Sequence, residues 1–157
     1  MTDEEPTADE LLTELLEEIA DALDLDGEII VERTDEGLVG RVEGEDLGLL
    51  IGRHGQTIDA VQHLAQRIVF PDGTTGSERV IVDAGGYRER RAEELRADAD
   101  EAATEVLETG EPVELESMSP AERRVVHEHL RDRTDVETHS EGDEPDRRLV
   151  ITPLDGS

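Results

Sequence analysis

The stretch that decides the fold is Leu50-Ile51-Gly52-Arg53-His54-Gly55-Gln56-Thr57-Ile58-Asp59-Ala60-Val61-Gln62. Two glycines bracket a two-residue turn, with apolar residues before it and an amphipathic pattern after it. Residues 56–69 read as a helix with Ile58, Val61, Leu64, Ala65 and Ile68 on its inner face. Ahead of it, a short helix runs from Glu45 to Leu50 and ends at Gly52. Without a Cβ at Gly52 or Gly55, a sugar-phosphate strand can approach the backbone closely. The N–H groups and positive dipole end of the following helix favour phosphate at the same place. Arg53 and His54 at the tip add donors and positive charge, and Ile51 and Ile58 pin the loop from either side. A bare Gly-x-x-Gly fits an ordinary helix-helix turn equally well, so the flanks carry the reading. A nucleotide-binding P-loop is excluded because the required Lys-Ser/Thr is missing.

Working outward, residues 1–7 are a polar tail. From Ala8 to Leu23 the residues Leu11, Leu12, Leu15, Leu16, Ile19, Ala22 and Leu23 recur at helical spacing. Glu28–Arg33 and Leu38–Val42 read as strands joined at Asp35-Glu36-Gly37, a hairpin signal. Pro71–Ser77 is a loop and Arg79–Asp83 a further strand, giving α-β-β-α-α-β over residues 8–84. Residues 85–110 are expected to form a long charged helix with sparse apolar positions (Leu95, Ala99, Ala102, Val106), a connector between two modules. In residues 111–154, Val113–Glu116 is a strand, and Ser119 caps a helix that starts at Pro120 and runs to about Arg133. Glu122 stands at the capping-box position of that helix. Val136–Ser140 and Arg147–Thr152 are strands around the acidic turn Glu141–Asp146. The class is α+β.

Composition sets limits. The chain has 157 residues, one Tyr, one Phe, no Trp and no Cys. A core must come from small aliphatic side chains, while disulfides, thiol catalysis and thiolate metal sites are excluded. No apolar run approaches the roughly 20 residues of a bilayer span, and the acidic N-terminus lacks the pattern of a signal peptide, so the expected compartment is the cytoplasm.

The formal charge of −28 opposes nucleic-acid binding at first sight, because phosphate contacts need cations. Its distribution matters more. Residues 1–47 carry 18 acids and two Arg, whereas residues 48–71 carry one acid, Asp59, and two Arg. Residues 119–133 carry three acids and four Arg, and these last two segments hold four of the five His. All 15 basic residues are Arg, which suits a GC-rich genome and a salty cytoplasm in which carboxylates maintain solubility.

The second near-neutral segment holds Arg123 and His127, one turn apart on one helix face. Arg124 lies beside them, and Arg147 and Arg148 open the last strand. Salt bridges to the abundant carboxylates are the plain alternative for each of these guanidinium groups. His127 and His129 point to different sides and do not chelate one metal easily. Asp59 and His63, four apart, read as a local helix-stabilising contact.

The stretch Leu50–Gln62, with its α-β-β-α-α-β setting, resembles the signature of a KH domain in the bacterial, type II arrangement. Met118-Ser119-Pro120-Ala121-Glu122-Arg123-Arg124-Val125-Val126-His127, with Val136–Gly142 and Arg147–Ile151, resembles the Arg-x-x-x-His domain, a small single-stranded nucleic-acid binder. The two in this order resemble the Jag, or SpoIIIJ-associated (KhpB-like), family over residues 8–153. The resemblance implies a type II-like KH domain joined by a long helix to a small α/β Arg-x-x-x-His domain. It also implies an RNA-binding regulator or RNA chaperone acting in cell elongation, division and cell-wall homeostasis. Gly52, Arg53, His54, Gly55, Gln56, Thr57, Arg123, Arg124, His127, Arg147 and Arg148 are the expected RNA contacts.

The expected partners are single-stranded RNA and, as a heteromer, a small single-KH protein. No cofactor, metal, catalytic residue, small-molecule substrate or membrane insertion is expected. Family surfaces carry more basic residues around the loop, so weak binding is expected here. With Tyr87 and Phe70 as the only aromatic residues, base stacking should be minor. A protein-interaction module using the KH fold and a single-stranded DNA binder are the alternative readings.

Overall fold

A computed structural model describes residues 4–72 and 78–154. From residue 73 onward the expected Pro71–Ser77 loop lies outside the described residues, as do the first three residues of the tail. The chain divides into two compact units, Met1–Arg88 and Glu89–Ser157.

In the first unit, α1 (Ala8–Ala22) starts at a capping box. The Thr7 hydroxyl accepts from the Glu10 N–H at 3.2 Å, and Thr7 N–H donates to the Glu10 carboxylate at 3.4 Å. Strands β1 (Gly27–Thr34) and β2 (Gly37–Gly44) form the expected hairpin, paired antiparallel from Thr34↔Gly37 to Gly27↔Gly44. The helix lies against β2 at Gly40, where a Cβ would come within 2.7 Å of Leu16 Cδ1 and 3.0 Å of Leu12 Cδ2. After β2 come α2 (Gly48–Ile51), α3 (Gln56–Val69) and β3 (Val80–Ala84). The α-β-β-α-α-β order therefore stands, with β3 parallel to β2 and sheet order β1-β2-β3.

Two expectations change here. The helix expected from Glu45 begins only at Gly48, because Asp46 takes a left-handed φ of 55° that no continuing helix allows. On α3, Ile58, Val61, Ala65 and Val69 are buried, while Leu64 and Ile68 are 47% and 40% exposed. The apolar stripe is wider than the surface that receives it.

Gln62 and Gln66 occupy the same helix and serve the free edge of β3. Gln66 Oε1 accepts from Val80 N–H at 2.7 Å, and Gln62 Oε1 from Val82 N–H at 2.9 Å. Val82 C=O receives Arg88 Nε at 2.7 Å. These are buried backbone groups that a neighbouring strand would otherwise satisfy.

The second unit holds α4 (Tyr87–Thr109) from Glu89 onward, β4 (Val113–Glu114), α5 (Pro120–Leu130), β5 (Val136–Glu141) and β6 (Arg148–Pro153). Its antiparallel sheet has the order β4-β6-β5. The helix expected to be a mere connector supplies Leu95, Ala99, Ala102, Ala103 and Val106 to this unit's core, with Val126, Leu130, Leu149 and Ile151. Alanine lets backbones pack closely, so a sparse apolar pattern is compatible with full burial. Helix α5 ends at Leu130, short of Arg133. The Ser119 hydroxyl accepts from Glu122 N–H at 3.2 Å as expected, whereas the Glu122 carboxylate accepts from Arg91 Nε at 3.0 Å. No helix among the described residues is long and apolar enough to cross a membrane.

Replacing Gln62 with Met keeps the length of the side chain and removes the acceptor for the buried Val82 N–H. The expected loss is about 1–3 kcal/mol of unfolding free energy, read by urea denaturation. An unchanged midpoint would show that the edge does not depend on this amide.

Candidate nucleic-acid interface

Helix α2 closes with Gly52 N–H on Gly48 C=O at 2.8 Å, and the chain then reverses. Gly52 has φ 74° and ψ −179°, and Gly55 has φ 77° and ψ 12°. Neither conformation suits an L side chain. Space forbids one as well. A Cβ on Gly52 would lie 2.2 Å from Thr57 Oγ1 and 2.9 Å from Thr57 N, and one on Gly55 would lie 2.7 Å from Tyr87 Cε1. The loop is thus folded flat onto the first turn of α3 on one side and onto the Tyr87 ring on the other. Ile58 is fully buried beneath it and Ile51 half-buried.

Arg53–Gly55 form one 3-10 turn, within which His54 is left-handed at φ 54°. Arg53, His54, Gln56 and Thr57 are exposed. Gly55 caps α3 with no side-chain acceptor, so the positive end of the helix dipole meets the loop. Arg53 has no ion-pair partner among the described residues, and neither does Arg67 farther along the exposed face of α3. Asp59 does not turn to His63. Its Oδ1 accepts from Arg88 Nη1 at 2.9 Å.

The second unit scatters its candidates. Arg123 is 8% exposed. Its Nη1 donates to Met118 C=O at 2.5 Å and Arg147 C=O at 3.3 Å, and its Nη2 pairs with Glu144. This guanidinium fastens the segment before α5 to the turn between β5 and β6. His127, one turn on, is exposed with Nδ1 2.6 Å from Thr138 Oγ1. Arg124 points away, 76% exposed, and pairs with Glu128 at 2.9 Å. That guanidinium holds the Glu128 carboxyl below the usual carboxylate range, by hydrogen bond first and charge second. Arg147 Nη1 donates to Gly142 C=O at 2.6 Å, and Arg148 pairs across the sheet with Glu114 at 3.4 Å. Arg133 lowers the Asp135 carboxyl through a hydrogen bond in the same way. The structure gathers Gly52–Thr57 into one surface and distributes Arg123, Arg124, Arg147 and Arg148 among carboxylates and carbonyls. The Arg-x-x-x-His spacing puts Arg123 and His127 on one side of α5, at different depths.

Tyr87, Arg88 and Arg67 belong to no site motif in the sequence. One signal for Arg88 is available: Asp59, the sole acid of its segment, calls for a partner.

The family described as the KhpA/KhpB KH domain matches residues 9–83, and the Arg-x-x-x-His domain family matches residues 93–153. A protein named RNA-binding protein KhpB from Clostridium symbiosum is 38% identical over 141 residues, covering 88% of this chain and 63% of that protein. The Bacillus subtilis protein of the same name is 33% identical over 141 residues, 87% of this chain and 66% of that one. The Lactiplantibacillus plantarum protein is 43% identical over 104 residues, 66% of this chain and 32% of its own length. This chain spans less than two thirds of each of these curated relatives.

Substituting Gly55 with Ala drives a Cβ toward the Tyr87 ring and strains a left-handed position. A loss of about 2–4 kcal/mol is expected from strain and overpacking together, measured by thermal unfolding. Gly55→Ala melting like the parent would mean that the loop does not rest on Tyr87.

Proposed function

Because the chain belongs to the KhpB-like proteins, which join a KhpA/KhpB-type KH domain to an Arg-x-x-x-His domain, we propose that it binds single-stranded RNA through the Gly52–Gly55 loop. The observation that carries this reading is Arg53, an exposed guanidinium without a carboxylate partner among the described residues of an acidic chain. It stands beside a helix N-terminus that no side chain caps. Backbone N–H groups, dipole and cation converge on the same few ångströms, and a phosphodiester is the ligand that uses all three. Gln56 and Thr57 contribute polar groups at the start of α3.

In the second unit His127, with Thr138 beside it, is the foremost contact, supported by Arg124, Arg147 and Arg148. Arg123 acts from beneath by holding the β5–β6 turn. The relatives are named RNA-binding proteins, and on that likeness we assign this chain a non-enzymatic role in the cytoplasm as an RNA-binding regulator or chaperone. Cell elongation, division and cell-wall homeostasis are the processes it would serve.

A second reading has one observation in its favour. Leu64 and Ile68 leave an apolar strip open on α3, which suits association with a small single-KH protein. The two readings are compatible, because the strip and the loop are different surfaces of the first unit.

Arg53→Asp combined with His54→Asp is expected to abolish binding of a labelled single-stranded RNA while leaving the melting temperature nearly unchanged, since both side chains are exposed. Binding equal to the parent's would remove the loop from the mechanism. Parental affinity should fall steeply as salt rises, by a slope of about 0.7 per phosphate contacted. A flat response would favour the protein-interaction reading, and a matched DNA oligomer that competes better than RNA would favour the DNA one.

A further inference from the structure

We propose that Arg88 is a positioning residue for the RNA loop, which acts by cancelling the charge of Asp59 at the first turn of α3. The proposal rests on the reading of Gly52–Gly55 as the RNA contact.

Asp59 is the fourth residue of α3 and the single acid in residues 48–71. A carboxylate there suits the helix dipole, yet it competes with an incoming phosphate for the same positive end. It is 41% exposed, so its field reaches the surface that the loop presents. Arg88 answers it. Nη1 meets Asp59 Oδ1 at 2.9 Å, Nε is fixed on Val82 C=O at 2.7 Å, and Arg88 N–H is fixed on Asp83 Oδ1 at 3.1 Å. Two anchors, one on β3 and one on α3, leave the guanidinium little freedom, and the backbone N–H is tied to Asp83. Its Nη2 is buried with no hydrogen-bond partner among the described residues, a cost accepted to hold the charge in this place. The preceding residue, Tyr87, lies against Gly55. Residues 87 and 88 therefore support both halves of the anion site, the loop backbone and the helix turn beside it.

A tie that merely holds the fold and a charge that clears the way for phosphate respond differently to one double variant. Affinity for a fluorescein-labelled oligouridylate is measured at low salt for the full chain, for Arg88→Gln, for Asp59→Asn and for the pair, with a melting curve for each. Arg88→Gln should bind roughly fivefold more weakly, as expected for one uncompensated charge near a phosphate. Asp59→Asn should bind at least as tightly as the parent. The pair should recover parental affinity, because no carboxylate remains to be neutralised. If the pair stays as weak as Arg88→Gln, or if Asp59→Asn alone weakens binding, charge cancellation is wrong. Should Arg88→Gln fail to fold, Arg88→Lys keeps the charge and should bind within about twofold of the parent; Arg88→Lys as weak as the Arg53→Asp/His54→Asp protein overturns the proposal. That doubly substituted loop protein runs alongside: if it binds like the parent, the loop reading itself has failed, a result distinct from non-recovery in the pair.

Discussion

A core assembled with one Phe, one Tyr and no Trp has little bulk to spare, and it closes only where backbone can be brought against side chain without a Cβ between them. Gly40 admits Leu12 and Leu16 of α1 onto the sheet, Gly52 settles on Thr57, and Gly55 settles on Tyr87. In the second unit, Ala99, Ala102 and Ala103 of α4, with side chains of a single methyl, are buried in the core. Small residues stand where larger proteins place rings, and the packing density of the interior is reached by approach rather than by volume. The candidate loop is a by-product of the same economy. The two glycines that let it lie flat on α3 and Tyr87 also leave its outer side open to a ligand backbone.

Charge imposes the other constraint. With 43 carboxylates against 15 guanidinium groups, a cation is ordinarily claimed by an acid of the chain itself. Arg33, Arg41, Arg96, Arg124, Arg133 and Arg148 all have such partners. Most of these pairs are exposed and contribute little to stability, but each removes one cation from the pool that an RNA could use. Arg53 escapes because the neighbouring sequence holds no acid near it except Asp59, and Asp59 is engaged by Arg88. Local depletion of carboxylate, more than abundance of cations, marks the candidate surface.

Much of this can be read from the sequence, for identifiable reasons. Element order and the Gly52–Gly55 turn follow from periodicity and from glycine placement, both local properties. What periodicity does not carry is depth. Helical spacing puts Leu64 and Ile68 on the inner face of α3, and they lie at its margin because the sheet beneath is narrower than the stripe. The same spacing puts Arg123 and His127 on one side of α5 without telling that Met118, Glu144 and Arg147 enclose the first and leave the second open. The alanines of α4 look like a weak core signal in the sequence, although alanine is what a closely packed helix uses. Proximity along the chain pairs Asp59 with His63, whereas its partner lies 29 residues away.

The glutamines of α3 have one more consequence. Val80 and Val82 direct their N–H groups away from β2, and Gln66 and Gln62 occupy them, while Arg88 occupies the Val82 carbonyl. Nothing with an extended backbone can add itself to that side of the sheet without first displacing three side chains. Strand addition, whether by a peptide ligand or by a misfolded neighbour growing toward a fibre, is left with β1, where Glu28 and Glu32 flank the margin and like charges discourage stacking of copies. On the β3 side, the sheet of the first unit is thus closed to strand addition by its own side chains.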